Sequence, residues 1–379
     1  VDAAYDNGYR RKRESWSKDW PLSIPPQPDD PDVPDVIHFL GVWDTVGALG
    51  IPDNMAILNL LDNRKKYAFH DTKLHNCVKH ARHAVALDEK RASFAPTLWT
   101  EVDNRPDVKQ IWVPGVHSDV GGGYPEIQLS NGALNWMIAE ASDQGLRFRS
   151  DMASQITGSP KGVLHDSVSG IFKHLRTQPR NVPLIDLSNA AELHPFTLNR
   201  QQHPPIEQAP YRPTKRLVNA GDSVTRHVYA SQRWNDTGIF LEPGNYRLTA
   251  TGEWIDRHIA CGPDGASDRK FHLEEIAHLA GSLWGKFEGL YRKLTHNDQA
   301  DFAGTKRVEK APWFCLIGMI ANGGNPGPDG TPAEPQIFCV GKAHELIVEK
   351  PGYLYAFAND AWNFYHNNHG SVELTVSRL

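Results

Sequence analysis

The feature that most restricts how this chain can fold is a short apolar run at residues 111–113 that stops at a Pro-Gly pair. Such a run is typical of a buried strand, and Pro-Gly cannot continue it. His117 and Asp119 follow directly, and then three glycines at residues 121–123. In open α/β sheets, ligands lie beyond the carboxyl ends of the strands, and glycines let the backbone approach them closely. The pattern therefore predicts a functional loop, with a plain strand-to-helix loop as the alternative.

A second run of the same kind, residues 36–43, ends at Asp44. Its nearly continuous apolar character is that of a strand covered on both faces. A carboxylate followed later by a histidine is the order of the last two members of a Ser…Asp…His triad. There the histidine takes the proton of the nucleophile, and the carboxylate orients the imidazole. The order predicts His117 as general base with Asp44 as its partner. It leaves Asp119 open as a rival carboxylate, and a helix cap open as the role of Asp44.

Three segments together resemble consecutive motifs of one family. They are Phe-Leu-Gly-Val-Trp-Asp-Thr-Val-Gly at residues 39–47, His-Ala-Val-Ala-Leu-Asp-Glu-Lys-Arg at 83–91 and Trp-Val-Pro-Gly-Val-His-Ser-Asp-Val-Gly-Gly-Gly-Tyr at 112–124. The family is an α/β-hydrolase family that includes the phospholipase effectors of bacterial type VI secretion systems. The resemblance covers roughly residues 1–210. It implies an α/β-hydrolase fold with a doubly wound parallel sheet, partial in this chain, and hydrolysis of phospholipid or other lipid esters in antibacterial competition.

The chain contains no Gly-x-Ser-x-Gly segment, the turn on which this family carries its nucleophile serine. The residues before position 36 include a basic cluster and a proline-rich stretch, and neither has a strand-turn-helix pattern. We therefore expect the serine on an upstream segment or on a second chain, so that this chain alone lacks activity.

Composition excludes some classes of protein. A net charge of −5 argues against a nucleic-acid binder. No run of about eighteen apolar residues is present, so no transmembrane helix is predicted. The four cysteines form no Cys-x-x-Cys pair, which argues against a zinc ribbon or a thioredoxin-like motif. Cys315 and Cys339 lie in apolar runs and are predicted to be buried thiols, with disulfide pairing left open.

The character of the sequence changes near residue 216. Residues 1–215 carry the motifs above and two predicted helices, at 72–88 and at 130–141. Short β-rich runs separated by turns follow, and they predict an all-β sandwich or jelly roll at 216–379 with a helical insertion at 272–294. The runs are 224–230, 238–241, 246–254, 314–320, 336–340, 344–348, 354–357 and 372–376.

A loop near the carboxyl end, residues 359–371, concentrates oxygen-bearing side chains. Asp360, Asn367 and Asn368 supply three hard oxygens, and the Phe364 carbonyl can supply a fourth. Calcium binds about six to eight such oxygens from carboxylates, amides and carbonyls. The loop predicts a Ca²⁺ site, with a plain polar turn as the alternative.

Four segments of the second half, at residues 252–256, 262–265, 314–320 and 359–371, resemble the small bacterial calcium-dependent, galactose-binding lectin. The resemblance covers roughly residues 218–379. It implies side-chain metal ligands at Asp360, Asn367 and Asn368, backbone ligands at Asp256 and Phe364, and substrate contacts at Asn359 and Asn363. Arg269 and His272 stand where the family has its further sugar contacts.

The resemblances together imply partners for the chain. These are a phospholipid or other lipid ester, a galactose-type glycan, and a secretion-machinery spike or an immunity protein. The site of action they imply is the periplasm or membrane surface of a target cell. The alternative is a non-catalytic binding protein with a degenerate hydrolase fold and a functional lectin module.

Overall fold

The computed structural model describes two thirds of the chain, and strands dominate it. The described residues are 37–46, 74–75, 77–99, 102, 105–149, 151, 154–169, 176–257, 259–266, 306–323, 333–362 and 364–379. Of these, 40% lie in strands and 18% in helices, and the strands form three sheets. The insertion predicted at 272–294 lies outside the described residues.

The first sheet has three parallel strands in the order β1-β2-β3, which are Ile37–Trp43, Val78–Ala86 and Val108–Val113. The central strand, β2, occupies residues that the sequence analysis assigned to a helix at 72–88, and that assignment is wrong. From Ala81 onward every residue of β2 is buried, as expected of a strand with a neighbour on each side and a covering layer on each face.

Helices cover one face of this sheet. Helix α1 is His117–Gly121 and α2 is Gln128–Asp143, which confirms the helix predicted after Ser130; α3, Pro195–Gln202, follows later. Helix α2 approaches β1 closely because Gly41 lies under it. A Cβ at Gly41 would lie 2.6 Å from the sulfur of Met137. Ala84, Ala86 and Val113 form a core with α2 on this face.

The second half consists of two sheets, and all eight predicted runs are strands in it. Their order is β11-β10-β13-β6-β4, with β9 also paired to β10, and β12-β7-β14-β5, with β8 also paired to β7. The strands are β4 Lys215–Arg216, β5 Ser223–Tyr229, β6 Asn235–Leu241, β7 Gly244–Asp256, β8 Ile259–Cys261, β9 Asp264–Ala266, β10 Trp313–Ala321, β11 Gln336–Cys339, β12 Ala343–Val348, β13 Gly352–Ala358 and β14 Asn368–Arg378.

The two sheets face each other across one hydrophobic core. Trp254 and Leu374 from one sheet and Leu316 and Leu354 from the other are fully buried in it. Strand β10 is buried along its whole length, because its other face packs outward onto the first half of the molecule.

That second contact explains why the expected α/β-hydrolase fold, with a doubly wound parallel sheet, is wrong. Val85 and Trp112, on the face of the parallel sheet away from α2, share a hydrophobic core with Ile317, Met319 and Tyr353. The second covering layer is thus a β-sheet rather than a layer of helices. In the part of the chain that the structure describes, no helix is long and apolar enough to span a membrane.

Candidate active site

Asp44 and His117 meet at the carboxyl ends of β1 and β3. Asp44 follows β1 with a left-handed φ of 39°, and its amide donates to the Ala84 carbonyl at 2.7 Å. His117 is the first residue of α1. The Asp44 Oδ2 atom lies 2.7 Å from His117 Nδ1. The structure therefore brings together the two residues that the strand-end pattern proposed as acid–base partners, at hydrogen-bond distance.

Arg180 completes this arrangement, and nothing in the sequence analysis pointed to it. Its guanidinium binds both oxygens of Asp44, Nη1 to Oδ1 at 2.6 Å and Nη2 to Oδ2 at 3.0 Å. The same two nitrogens donate to the carbonyls of Ala86 and Phe94, each at 2.6 Å. Arg180 is thereby fixed at four points and holds the carboxylate plane in place.

The environment of Asp44 keeps its side chain ionised. The Asp44 carboxyl group is fully buried, and burial alone would raise the pKa of Asp44. The charge of Arg180 and the hydrogen bonds from His117, Arg180 and the Ala86 amide outweigh burial and hold the pKa well below its ordinary value. A buried, ionised carboxylate is what an adjacent imidazole needs in order to be oriented and to be stabilised when it takes up a proton.

A buried histidine, His83, supports the turn after Asp44. Its Nε2 accepts from the Thr45 amide at 3.1 Å, and its Nδ1 lies 3.1 Å from the Gln110 side-chain oxygen. Burial lowers the pKa of His83 to about 4, so the ring is neutral at pH 7. His83 is a hydrogen-bond acceptor that positions the strained backbone beside Asp44.

The backbone of His117 is fixed by a hydrogen bond, and its side chain is partly exposed. Its amide donates to Glu89 Oε2 at 3.2 Å, and Glu89 is itself fixed by Arg91 and by the Ser167 hydroxyl. Its ring meets Phe94 edge-on with 5.2 Å between centroids. The side chain is 32% exposed. Among the residues that the structure describes, nothing hydrogen-bonds to His117 Nε2.

Asp119, the rival carboxylate, does not face His117. Its Oδ1 lies 2.6 Å from Nδ1 of His165, and its Oδ2 accepts from the amides of Val116 and His165. His165 stacks on Tyr124 with 3.7 Å between ring centroids. Asp119 therefore caps α1 and fixes the segment around His165, a residue that the sequence pattern did not single out.

The comparison with known protein families bears on this site. Residues 7–140 match the Tle1-like catalytic domain of type VI secretion system phospholipase effectors. The matched segment includes Asp44, Glu89 and His117, and it ends before Arg180. The Tle1-like match supports a lipid-hydrolysing type VI secretion effector for this part of the chain, and effectors of that family are secreted to target cells.

A curated protein also matches in sequence. Uncharacterized protein YEL023C of Saccharomyces cerevisiae is 41% identical over an alignment of 75 residues that covers 17% of this chain and 11% of that protein. The chain thus spans about a tenth of the length of this relative.

A second polar cluster lies at the end of β13 and the start of β14, beyond the Tle1-like segment. Asp360 is fully buried, and its Oδ2 accepts from the side-chain Nδ2 of Asn368 at 2.8 Å. Asp256 Oδ1 accepts from the side-chain Nδ2 of Asn367 at 2.6 Å. The structure therefore brings four of the predicted metal-site residues together, although the Asp256 side chain rather than its carbonyl makes the contact seen here.

Two oxygens of this cluster fit a bound cation. The side-chain oxygens of Asn367 and Asn368 are buried without a hydrogen-bond partner in the described part of the chain. Leaving such an oxygen unsatisfied costs roughly 1–3 kcal/mol. Burial raises the pKa of Asp360 to about 7, against the Asn368 hydrogen bond that favours the carboxylate. A hard cation would satisfy both amide oxygens and keep Asp360 ionised. Among the described residues, no group of three or more His, Cys, Asp or Glu side chains has metal-binding geometry.

The structure describes two of the other residues predicted for this region, Asn359 and Phe364. Asn359 is fully buried, and its side chain bonds to the backbone of Val308, Ala311 and Pro312, so it braces a loop rather than facing a ligand. The Phe364 carbonyl is within 3.4 Å of the Asn367 amide. Asn363, Arg269 and His272 lie outside the described residues.

Solved structures were also compared. The chain is similar to a structure described as the EclA N-terminal domain, a PllA-like lectin, with 15% identity and a TM-score of 0.23, over 41% of this chain and 95% of that one.

Proposed function

We propose that this chain carries the general base and the orienting acid of an ester hydrolase that acts on phospholipid acyl esters. The observation that carries the proposal is the 2.7 Å contact between buried Asp44 and the Nδ1 of His117, whose side chain is 32% exposed. The Tle1-like match over residues 7–140 supports the substrate class.

The geometry supports a definite division of roles. Nδ1 of His117 donates to Asp44, which leaves the lone pair on Nε2 to accept the proton of a nucleophilic hydroxyl. The hydroxyl oxygen then attacks the ester carbonyl, and the imidazolium returns its proton to the leaving alcohol. Asp44 stays ionised throughout, because Arg180 and the two further hydrogen bonds from the Ala86 amide and His117 favour its charged form. Glu89 fixes the backbone of His117, so the ring keeps its position while it gains and loses the proton.

The nucleophile in this proposal is a serine outside this chain. No hydroxyl of the described residues is hydrogen-bonded to His117 Nε2, and the sequence has no Gly-x-Ser-x-Gly segment. A fluorophosphonate probe labels an activated serine covalently. We expect the natural full-length protein to be labelled on a serine that is not part of residues 1–379, and the 1–379 chain to remain unlabelled. Labelling of a serine within residues 1–379 would contradict the placement of the nucleophile, and no labelling of either form would contradict serine chemistry.

A second function is favoured by the cluster at Asp360. We propose that Asp360, Asn367 and Asn368 hold one Ca²⁺ ion, with Asp256 and the Phe364 carbonyl beside them, and that a galactose-type glycan completes the coordination. The support is the pair of buried, unsatisfied amide oxygens. When bound, calcium would supply the positive charge that binds sugar hydroxyls. Calorimetric titration with Ca²⁺ and then galactose tests both steps, and calcium binding without galactose binding would leave only the metal site.

The remaining partners in this proposal follow from the effector family rather than from the geometry. They are a spike of the secretion machinery and an immunity protein, with the target-cell periplasm or membrane surface as the site of action. Co-purification of the full protein with spike components would test the first of them.

A further inference from the structure

We propose that Cys315 and Cys339 form a redox pair that closes to a disulfide and ties the edge strand β11 to the buried strand β10. The inference concerns the second half of the molecule and does not depend on the proposed function. Cys315 and Cys339 are not joined by a disulfide in this structure.

The sheet register places the two thiols on the same face. Cys339 is paired with Ile317, and Cys315 precedes Ile317 by two residues, so both side chains point to one side of the sheet. The Leu316 carbonyl accepts from the amides of both Val340 and Gly341, at 2.9 and 3.3 Å. These two hydrogen bonds hold the residues that directly follow β11 against β10. The Cys315 thiol donates to the Leu316 carbonyl at 3.6 Å. Burial raises the pKa of this thiol, and the neighbouring Cys339 side chain raises it further.

The two cysteines differ in access. Cys339 is exposed, which corrects the sequence-based expectation that it is buried, whereas Cys315 is 1% exposed. A dissolved oxidant therefore reaches Cys339 first, and the buried Cys315 reacts second. Cys339 is thus the accessible thiol of the pair, and Cys315 is its resolving partner.

The reaction balances with a small-molecule disulfide as oxidant. The Cys339 thiolate attacks one sulfur of oxidised glutathione, breaks its S–S bond and releases one glutathione thiol. Cys315, as it loses its proton, attacks the Cys339 sulfur of the mixed disulfide and releases the second glutathione. Two protein thiols are oxidised, and one glutathione disulfide is reduced to two thiols.

Closure has a structural consequence that can be measured. Strand β11 has four residues, and among the described strands it pairs only with β10, at the end of its sheet. A bond from Cys339 to the buried Cys315 would prevent β11 from separating from β10. A cross-link of this kind stabilises mainly by restricting the unfolded chain.

The test is oxidation of the 1–379 chain with oxidised glutathione, followed by alkylation of the remaining thiols and peptide mass mapping. We expect the loss of two alkylatable thiols, a mass lower by two hydrogen atoms, a cross-linked peptide joining Cys315 to Cys339, and a higher Tm that dithiothreitol reverses. Cys77→Ala is the matched control at another buried thiol and should form the same cross-link.

Cys339→Ser should keep its three thiols alkylatable under the same treatment. The exposed position makes this variant the safer one should Cys315→Ala fail to fold. A stable glutathione adduct on Cys339 without closure, a cross-link to Cys261 or Cys77, or four reduced thiols after treatment would each overturn the proposal.

Discussion

Asp119 pairs with His165 and not with His117, although only one residue separates Asp119 from His117 on α1. The Oδ1 of Asp119 lies 2.6 Å from the Nδ1 of His165. The first turn of α1 therefore supplies one member to each of two carboxylate–imidazole pairs. The first pair joins Asp44 to a partly open histidine, and the second packs His165 against Tyr124. Substitutions separate the two pairs.

Asp44→Asn should lower kcat for a short-chain acyl ester by about 10⁴-fold in the full-length protein, because the imidazole loses the charge that stabilises its protonated form. Asp119→Asn should lower the Tm, because Asp119 caps α1, and should change kcat by far less. The measurement is steady-state turnover beside thermal unfolding. Equal losses of kcat in the two variants would contradict the assignment of Asp44.

Arg180→Met should destabilise the fold by roughly 3–5 kcal/mol at pH 7, because it removes the cation that compensates a buried carboxylate. The folded-state pKa of Asp44 is depressed, so the stability it contributes is present above its ordinary pKa near 3.8 and declines as pH falls below that value. The difference between wild type and variant should therefore be largest at neutral pH and shrink at about pH 3. Urea unfolding at the two pH values checks this, and a difference that does not change with pH would count against it.

His83 should make the fold sensitive to mild acid. Burial lowers its folded-state pKa from 6.5 to about 4, so between these values the unfolded chain binds the proton and the folded chain does not. The free energy of unfolding should therefore fall as pH drops through this window. His83→Gln retains hydrogen-bonding capacity without titrating, and it should show a shallower pH dependence of urea unfolding from pH 7 to 4.5. An unchanged slope would show that His83 is not buried in neutral form.

The sequence predicted Asp44 and His117 because each follows closely on an apolar run. The run indicates a buried strand, and the polar residue after it marks the end of that strand. Arg180 gave no such signal. It lies in a stretch without regular structure, and it reaches Asp44 across 136 positions of the chain. A contact between residues so far apart in the sequence depends on how the segment around Arg180 folds back over β1 and β2. No hydrophobic periodicity indicates such a contact.

The prediction of the fold class was wrong for a related reason. The apolar runs correctly indicated strands covered on both faces, but they do not say what covers them. Trp112 packs against Ile317 and Met319 of the second half, so one covering layer is a sheet. The alternating runs after residue 216 were easier to predict, because a strand with one buried face shows its period of two directly.

Calcium affinity should rise with pH up to about 7 and level off above it. Burial raises the pKa of Asp360 to about 7, so below that pH a proton must leave before the carboxylate can bind the metal. Calorimetry in two buffers of different ionisation enthalpy should reveal proton release at pH 6 and little at pH 8. Asp360→Asn should abolish binding, whereas His369→Gln, an exposed change in the same region, should retain it. Binding that is independent of pH and of Asp360 would contradict the site.

In the proposed mechanism His117, and not His165, is the base. The most direct measurement is phospholipid acyl-ester turnover by the full-length protein carrying either His117→Gln or His165→Gln. We expect His117→Gln to lower kcat by about 10³-fold or more while the protein stays folded, and His165→Gln to retain most of the activity. Turnover that survives His117→Gln, or that is lost equally in both variants, would contradict it.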